Sequence, residues 1–375
     1  MHLDLTEQEQ HWRKYWRAIA AEVIAPCVPE IEMTAKLPDK LLNDLGERNT
    51  LKPFLPQDLG GEGLGLFHLT ILLEEFGRHS PAVAWLAAQQ VIIGIRTNLK
   101  SFNFPDHKEL ARQAADFKAI FSLAATELEA GCDLWSLSTQ CLKLDDGSFE
   151  ISGGKSHVNW AQKTRMMITL ARSDDGKGST LALIPHPSAR LTVGEPHPTL
   201  GMAGLEAAPV SFEHLVIPAG HVAGVPGFGH ELYDQMVNEM RIAVSALATG
   251  LAQEVFDRIV VHAKARKQFG KPIGSFQSLQ WRFSDAAMKI EASRLHVWQA
   301  VELASSKVSC FQQAAMAKIF ATEAACWVAD FGVQVMGSKA YIKPNPVERM
   351  FRDSRFLKIA LGTSEILRNK IAERL

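Results

Sequence analysis

The chain has 375 residues, 47% of them apolar and 22% charged, with a formal net charge of −1. That composition belongs to an ordinary globular protein long enough for two or three packed units. With no long run of one sign, it argues against nucleic acid or an anionic membrane surface as a partner. Apolar stretches such as Ala82–Ala88 fall well short of a membrane span, and His2-Leu3-Asp4 begins no signal peptide. Cys27, Cys132, Cys141, Cys310 and Cys326 lack metal-type or disulfide-framework spacing, which suits a reducing cytoplasm.

From the N-terminus, Trp12, Trp16, Ile19, Ala20 and Val23 recur at helical spacing and predict a helix over Glu7–Val23. Leu69–Phe76 and Ala82–Ile95 are strongly apolar and also read as helical, with a Pro/Gly loop over 56–63 between them. Near residue 118 the pattern changes. Ala119–Ala125, Ser148–Ile151, Met166–Ala171, Ser179–Ile184, Arg190–Val193 and Val210–Val216 are short and rich in β formers. Asp145-Asp146-Gly147 and Asp174-Asp175-Gly176 punctuate them as turns, and the whole stretch predicts a small β-barrel or sandwich. After Gly227-Phe228-Gly229 the helical period returns, over Glu231–Lys267, Phe276–Ala304, Cys310–Met336, Val347–Leu357 and Ser364–Leu375. The expected fold is α+β: an N-terminal helical domain (1–116), a β-domain (117–226), and a C-terminal four-helix bundle with a short last helix (227–375).

Four stretches carry chemistry: AATELEAGCDLWSL (124–137), ARKQFGKPIGSFQ (265–277), QVMGSKAY (334–341) and RDSRFLKIALGTSEIL (352–367). Read locally, Arg266 and its neighbours form a solvated helix end whose cations offset the macrodipole. Equally, the Arg266 guanidinium can grip a phosphate bidentately while Phe269 packs on a flat ring. Taken together, in this order and in an α–β–α context, the four stretches resemble the acyl-CoA dehydrogenase flavoprotein family over essentially the whole chain. The resemblance implies FAD as cofactor and a homodimer or homotetramer. It assigns Arg266, Phe269 and Gln277, with Gln334 and Gly337, to the flavin of a neighbouring subunit. It places Leu123, Ala125, Thr126 and Thr363 on the flavin side, and Cys132, where the family usually has Ser, beside a thioester substrate. By its residue type alone, Cys132 reads as either a reactive thiol or a small inert buried side chain.

The departures from the family pattern lie at the chemistry. His157 and Asn159 occupy positions where the family shows Trp and Thr beside the flavin ring; a histidine on a strand also reads as a structural hydrogen-bonding residue. The family's catalytic carboxylate stands immediately before Gly-Thr, and here that residue is Leu361; the alternative position, immediately before Arg241, is Met240. Gly362 keeps a turn whose backbone N–H groups can polarise a carbonyl oxygen. Glu239 adjoins Met240 but lies about 100° round a helix from it. Arg352 and Asp353 read as an ion pair within the last helices, and Glu365 as a cap partner.

Three functions follow from the resemblance. The first is an FAD-dependent α,β-dehydrogenation of an acyl thioester, carried on CoA or on an acyl carrier protein. His157, Glu239 or water would then act as base, and electron-transfer flavoprotein or oxygen as acceptor. The second is a flavin monooxygenase or oxidase of the same fold, and the third a non-redox acyl-binding protein.

Overall fold

The computed structural model describes residues 4–173, 178–306 and 309–375; the Asp174-Asp175-Gly176 turn lies outside the described residues. The N-terminal helices are α1 (Glu7–Ile19), α2 (Ala25–Thr34), α3 (Asp39–Glu47), α4 (Leu66–Gly77), α5 (Pro81–Gln89), α6 (Asn98–Ser101) and α7 (His107–Ala115). Thr6 and Glu9 close a capping box at the start of α1, and its Trp12, Trp16 and Ile19 stripe is buried. The chain runs on from α1 to α2, and from α5 to α6, through wider π-helical turns, Ala20–Ile24 and Gln90–Thr97.

Seven strands follow: β1 (Ile120–Ala124), β2 (Gln140–Lys143), β3 (Phe149–Val158), β4 (Thr164–Ser173), β5 (Ser179–Pro185), β6 (Leu191–Val193) and β7 (Ala208–Ile217). They form one sheet in the order β1-β4-β2-β3-β7-β6, with β5 also paired to β4. β4 lies parallel to β1 and β2, whereas the remaining pairs are antiparallel. The Asp145-Asp146-Gly147 turn joins β2 to β3, with Gly147 at φ 85° and Asp146 accepting from the Ser148 N–H. β2, which the sequence pattern did not pick out, is only four residues long and half-exposed.

The C-terminal part consists of α8 (Gly229–Ala265), a small hairpin of β8 (Lys267–Gln268) and β9 (Lys271–Pro272), α9 (Gln277–Ser305), α10 (Phe311–Met336), α11 (Ser338–Tyr341), α12 (Pro346–Ile359) and α13 (Ser364–Ala372). α8 is the spine. Against α4 it packs backbone to backbone, because a Cβ at Gly250 would stand 2.0 Å from the Glu74 carbonyl oxygen and one at Gly77 2.4 Å from that of Leu247. α10 is long and apolar enough to cross a membrane by length and composition, contrary to the expectation from the sequence. Its Ala314, Ala317, Ala321, Ala325 and Val328 are nonetheless buried, in the same apolar core as the inner faces of α8 and α9. The Arg352–Asp353 pair expected from sequence does not form. Arg352 binds Glu348 and Glu32, while Asp353 turns inward to Arg349 and the Met202 N–H.

Candidate functional site

The first group of residues gathers where β1 ends beside β3. The buried Lys155 ammonium donates to the carbonyls of Ala125 (3.1 Å) and Leu170 (2.7 Å) and to Glu127 (2.7 Å). Glu127 in turn accepts from the Ser138 N–H (2.7 Å) and hydroxyl and the Thr139 N–H (3.1 Å), pinning both ends of the 127–138 loop. Burial opposes Glu127's charge, but these hydrogen bonds outweigh it and hold the carboxyl at about 2. Burial lowers Lys155 to about 8 against the pull of Glu127.

This staple fixes Thr126, whose carbonyl accepts the Ser156 N–H at 2.9 Å, so Thr126 and His157 stand side by side. His157 is exposed; its Nδ1 lies 2.9 Å from the Ser156 hydroxyl and its ring centroid 4.9 Å from that of His197. Partial burial, and then His197, push the His157 pKa down, so the imidazole is neutral at pH 7. Ser122 donates to the Asn159 carbonyl at 2.8 Å, which sets the end of β1, with Leu123, Ala125 and Thr126, beside the end of β3, with His157 and Asn159. Within the 127–138 loop Cys132 is exposed, not buried, and Trp135 stacks on His230 with centroids 3.9 Å apart.

The second group is the turn between α12 and α13. Leu361 (φ 58°) and Gly362 (φ 98°) are both left-handed, a conformation that costs a leucine about 1–2 kcal/mol. Three side chains hold the turn. Arg241, buried on α8, donates Nε–H to the Leu361 carbonyl at 3.0 Å. Lys318, fully buried on α10, donates to the Gly362 carbonyl at 2.8 Å and the Lys358 carbonyl at 2.9 Å. Thr363 caps α13 by accepting the Ile366 N–H at 3.4 Å. The N–H groups of Leu361, Gly362 and Thr363 have no acceptor of ordinary geometry among the described residues.

Met240, one residue before Arg241, is buried and apolar. Glu239 is drawn away from the turn: Arg96 holds its two carboxylate oxygens at 2.7 and 2.8 Å. Glu239 lines a separate cavity of about 500 Å³ with Phe54, Ile95, Arg96, Leu99 and Leu232. A carboxylate gripped on both oxygens by one guanidinium is oriented by that pair and not by the turn.

The third group lies at the far end of α8, 25 residues or about 37 Å along the helix from Arg241. Phe269 (φ 51°) and Gly270 (φ 79°) form the two-residue turn of the β8–β9 hairpin, and this turn holds Phe269 92% exposed. Arg266, Gln277, Gln334 and Gly337 are exposed as well, and among the described residues Arg266 has no ion-pair partner. Burial, and then Lys339 on α11 and Arg266, push the His262 pKa down.

The sequence reading missed Lys318, His197, Arg96 and the Trp135–His230 stack. For Lys318 a signal exists, since it is a lone cation inside the apolar run 314–321.

Fold and site together define a flavoprotein oxidoreductase architecture of N-terminal helices, a β-domain and a helical bundle that carries the backbone turn. Residues 6–102, 122–215 and 227–375 match, respectively, the N-terminal, middle and C-terminal domains of acyl-CoA dehydrogenase. The chain belongs to the acyl-CoA dehydrogenase family, FAD-dependent oxidoreductases acting on CH–CH groups. It is 32% identical to a probable acyl-CoA dehydrogenase of Bacillus subtilis (strain 168), over the full length of both. It is also 32% identical to the benzylmalonyl-CoA dehydrogenase of Aromatoleum aromaticum, again over both full lengths. Butyryl-CoA dehydrogenase from Megasphaera elsdenii superposes with a TM-score of 0.94 at 25% identity, covering 100% of this chain and 99% of that one.

Proposed function

We propose that the chain binds FAD between two copies of itself and oxidises an acyl thioester held at the Leu361–Gly362–Thr363 turn. The turn carries the reading: its carbonyls are engaged from within the protein by Arg241 and Lys318, and its N–H groups are left unpaired among the described residues. Such a run of backbone donors suits an oxygen that gains negative charge, as a thioester carbonyl does when a proton leaves its α carbon.

The residues present fit a flavin dinucleotide. Arg266 offers an unpaired guanidinium for the pyrophosphate and Phe269 an exposed ring for the adenine, while Thr126 and Asn159 bring side-chain donors to the isoalloxazine edge. Arg266 and Arg241 stand too far apart along one helix for a single dinucleotide to serve both, so the adenine half belongs to a second copy. When bound, FAD supplies the hydride acceptor. The chain's own part is to orient the acyl oxygen at the turn and to exclude water with Leu361 and Met240.

One observation favours the runner-up, a monooxygenase or oxidase of this fold. Leu361 and Met240 are apolar and Glu239 is bound to Arg96, so none of them can take the α proton. Anaerobic titration of the purified flavoprotein with CoA and pantetheine thioesters decides between the readings. Bleaching of the flavin supports dehydrogenation. Oxygen uptake with an external reductant, without thioester bleaching, supports oxygenation. Thioester binding with no redox change leaves an acyl-binding role.

A further inference from the structure

A peptide's N–H points opposite to its C=O, because the unit is planar and trans. Whatever grips the Leu361 carbonyl therefore aims the Gly362 N–H, and whatever grips the Gly362 carbonyl aims the Thr363 N–H. Arg241 does the first at 3.0 Å and Lys318 the second at 2.8 Å. Lys318 also ties the turn to the last residues of α12 through the Lys358 carbonyl at 2.9 Å. A cation on a carbonyl polarises the peptide and strengthens its N–H as a donor.

Lys318 is fully buried, yet among the described residues no carboxylate is hydrogen-bonded to it. A buried ammonium without a hydrogen-bonded carboxylate is costly, and an aliphatic side chain would fill the same space without that cost.

We propose that Lys318 is a positioning residue: through the Gly362 carbonyl its ammonium aims and polarises the Thr363 N–H of the turn toward the acyl oxygen, while its bond to the Lys358 carbonyl ties the turn to α12. This rests on the acyl-thioester reading given above. The charged groups acting on Lys318 are Arg241 from α8, Glu365 from α13, Glu323 from its own helix and Cys132 from the 127–138 loop. Burial, and then Arg241, lower its pKa to about 7, so its charge changes within an accessible pH range.

The test is calorimetric titration of the FAD-loaded protein with butyryl-pantetheine, which has no phosphate to titrate, at about pH 6 and about pH 8.5. FAD content and Tm are measured alongside. In the parent, affinity should fall at least about threefold as pH rises through the Lys318 range and the charge-assisted polarisation is lost. Lys318→Met should bind about tenfold more weakly at the lower pH and show no pH step, with FAD content unchanged. Arg241→Gln, which leaves Lys318 in place, should bind more weakly and keep a step displaced to higher pH, since Arg241 no longer pushes the Lys318 pKa down. Unchanged affinity and an unchanged step in Lys318→Met overturn the proposal. If that variant fails to fold, a parent profile flat across the range overturns it, and a step retained in Arg241→Gln supports it. A parent that binds no butyryl-pantetheine at either pH brings down the acyl-thioester reading itself and this proposal with it.

Discussion

Leu361→Glu asks whether the turn is an acyl site that lacks only its base. The backbone is already left-handed at φ 58°, so exchanging one non-glycine residue for another adds no new backbone strain. The cost is electrostatic. Placing a carboxylate in this half-buried spot raises its pKa by one to two units, or about 1.4–2.7 kcal/mol. Arg241 offsets this: its Nη2 lies 3.8 Å from a Cβ built on the next residue, Gly362. At a separation of about 6 Å and an effective dielectric constant of about 20, one such cation returns about 2.8 kcal/mol. The new carboxylate is therefore ionised at pH 7. A general base in place is worth about 10²–10⁴ in rate, which is about 2.7–5.4 kcal/mol off the barrier. The assay is stopped-flow flavin reduction by butyryl-CoA under anaerobic conditions, with Leu361→Gln as the uncharged control and Met240→Glu as the parallel variant. A gain in Leu361→Glu that Leu361→Gln lacks is the expected result. Fast reduction already in the parent, slowed by both glutamates, would refute the reasoning.

Arg266→Ala should lower the FAD content of the purified protein by the equivalent of about 1.5–3 kcal/mol, one charge-assisted contact; a colourless, monomeric parent that takes up no added FAD would contradict it. Because His157 has a lowered pKa, its effect on the flavin spectrum should appear below the ordinary imidazole range near 6.5. That step should vanish in His157→Phe and move upward in His197→Gln, and a spectrum flat from about pH 5 to 8 in all three proteins would refute the placement. Glu127→Gln leaves Lys155 buried without a counterion and should cost about 3–5 kcal/mol, read as a lower urea midpoint. The folded Glu127 carboxyl sits near 2, below its unfolded value of about 4.3. Its contribution is therefore complete above about pH 4.5 and lost as pH falls toward 2, so the parent's acid unfolding should be steeper than the variant's.

The order of helices and strands was legible because periodicity and turn residues are local. The Trp12–Trp16–Ile19 stripe announced its helix, and the β formers of Met166–Ala171 announced their strand. The turn at Gly362 could be read for the same reason, with Thr363 as its cap. Partners distant in sequence could not. Nothing near Glu239 says that Arg96, 143 residues earlier, takes its carboxylate, and adjacency suggested a pair for Arg352 and Asp353 although neighbouring residues on a helix face different ways. Cys132 reads as a small apolar filler, but it lies in a loop whose Glu127 and Ser138 anchors leave it outside the core. Lys318 was passed over because its partners are two carbonyls some 40 residues on, and carbonyls carry no side-chain signature.

The left-handed Leu361 has a consequence for how this fold diversifies. The turn is gripped through its carbonyls by Arg241 from α8 and Lys318 from α10, so its backbone is held by groups other than the half-buried side chain at 361. In the function proposed above, the acyl oxygen falls to the turn's backbone and its α proton to whatever side chain stands at 361. A single codon can swap the reactive group and leave the cradle intact. If the turn binds an acyl group as proposed, a lineage built on this arrangement can lose a chemistry without losing its ligand.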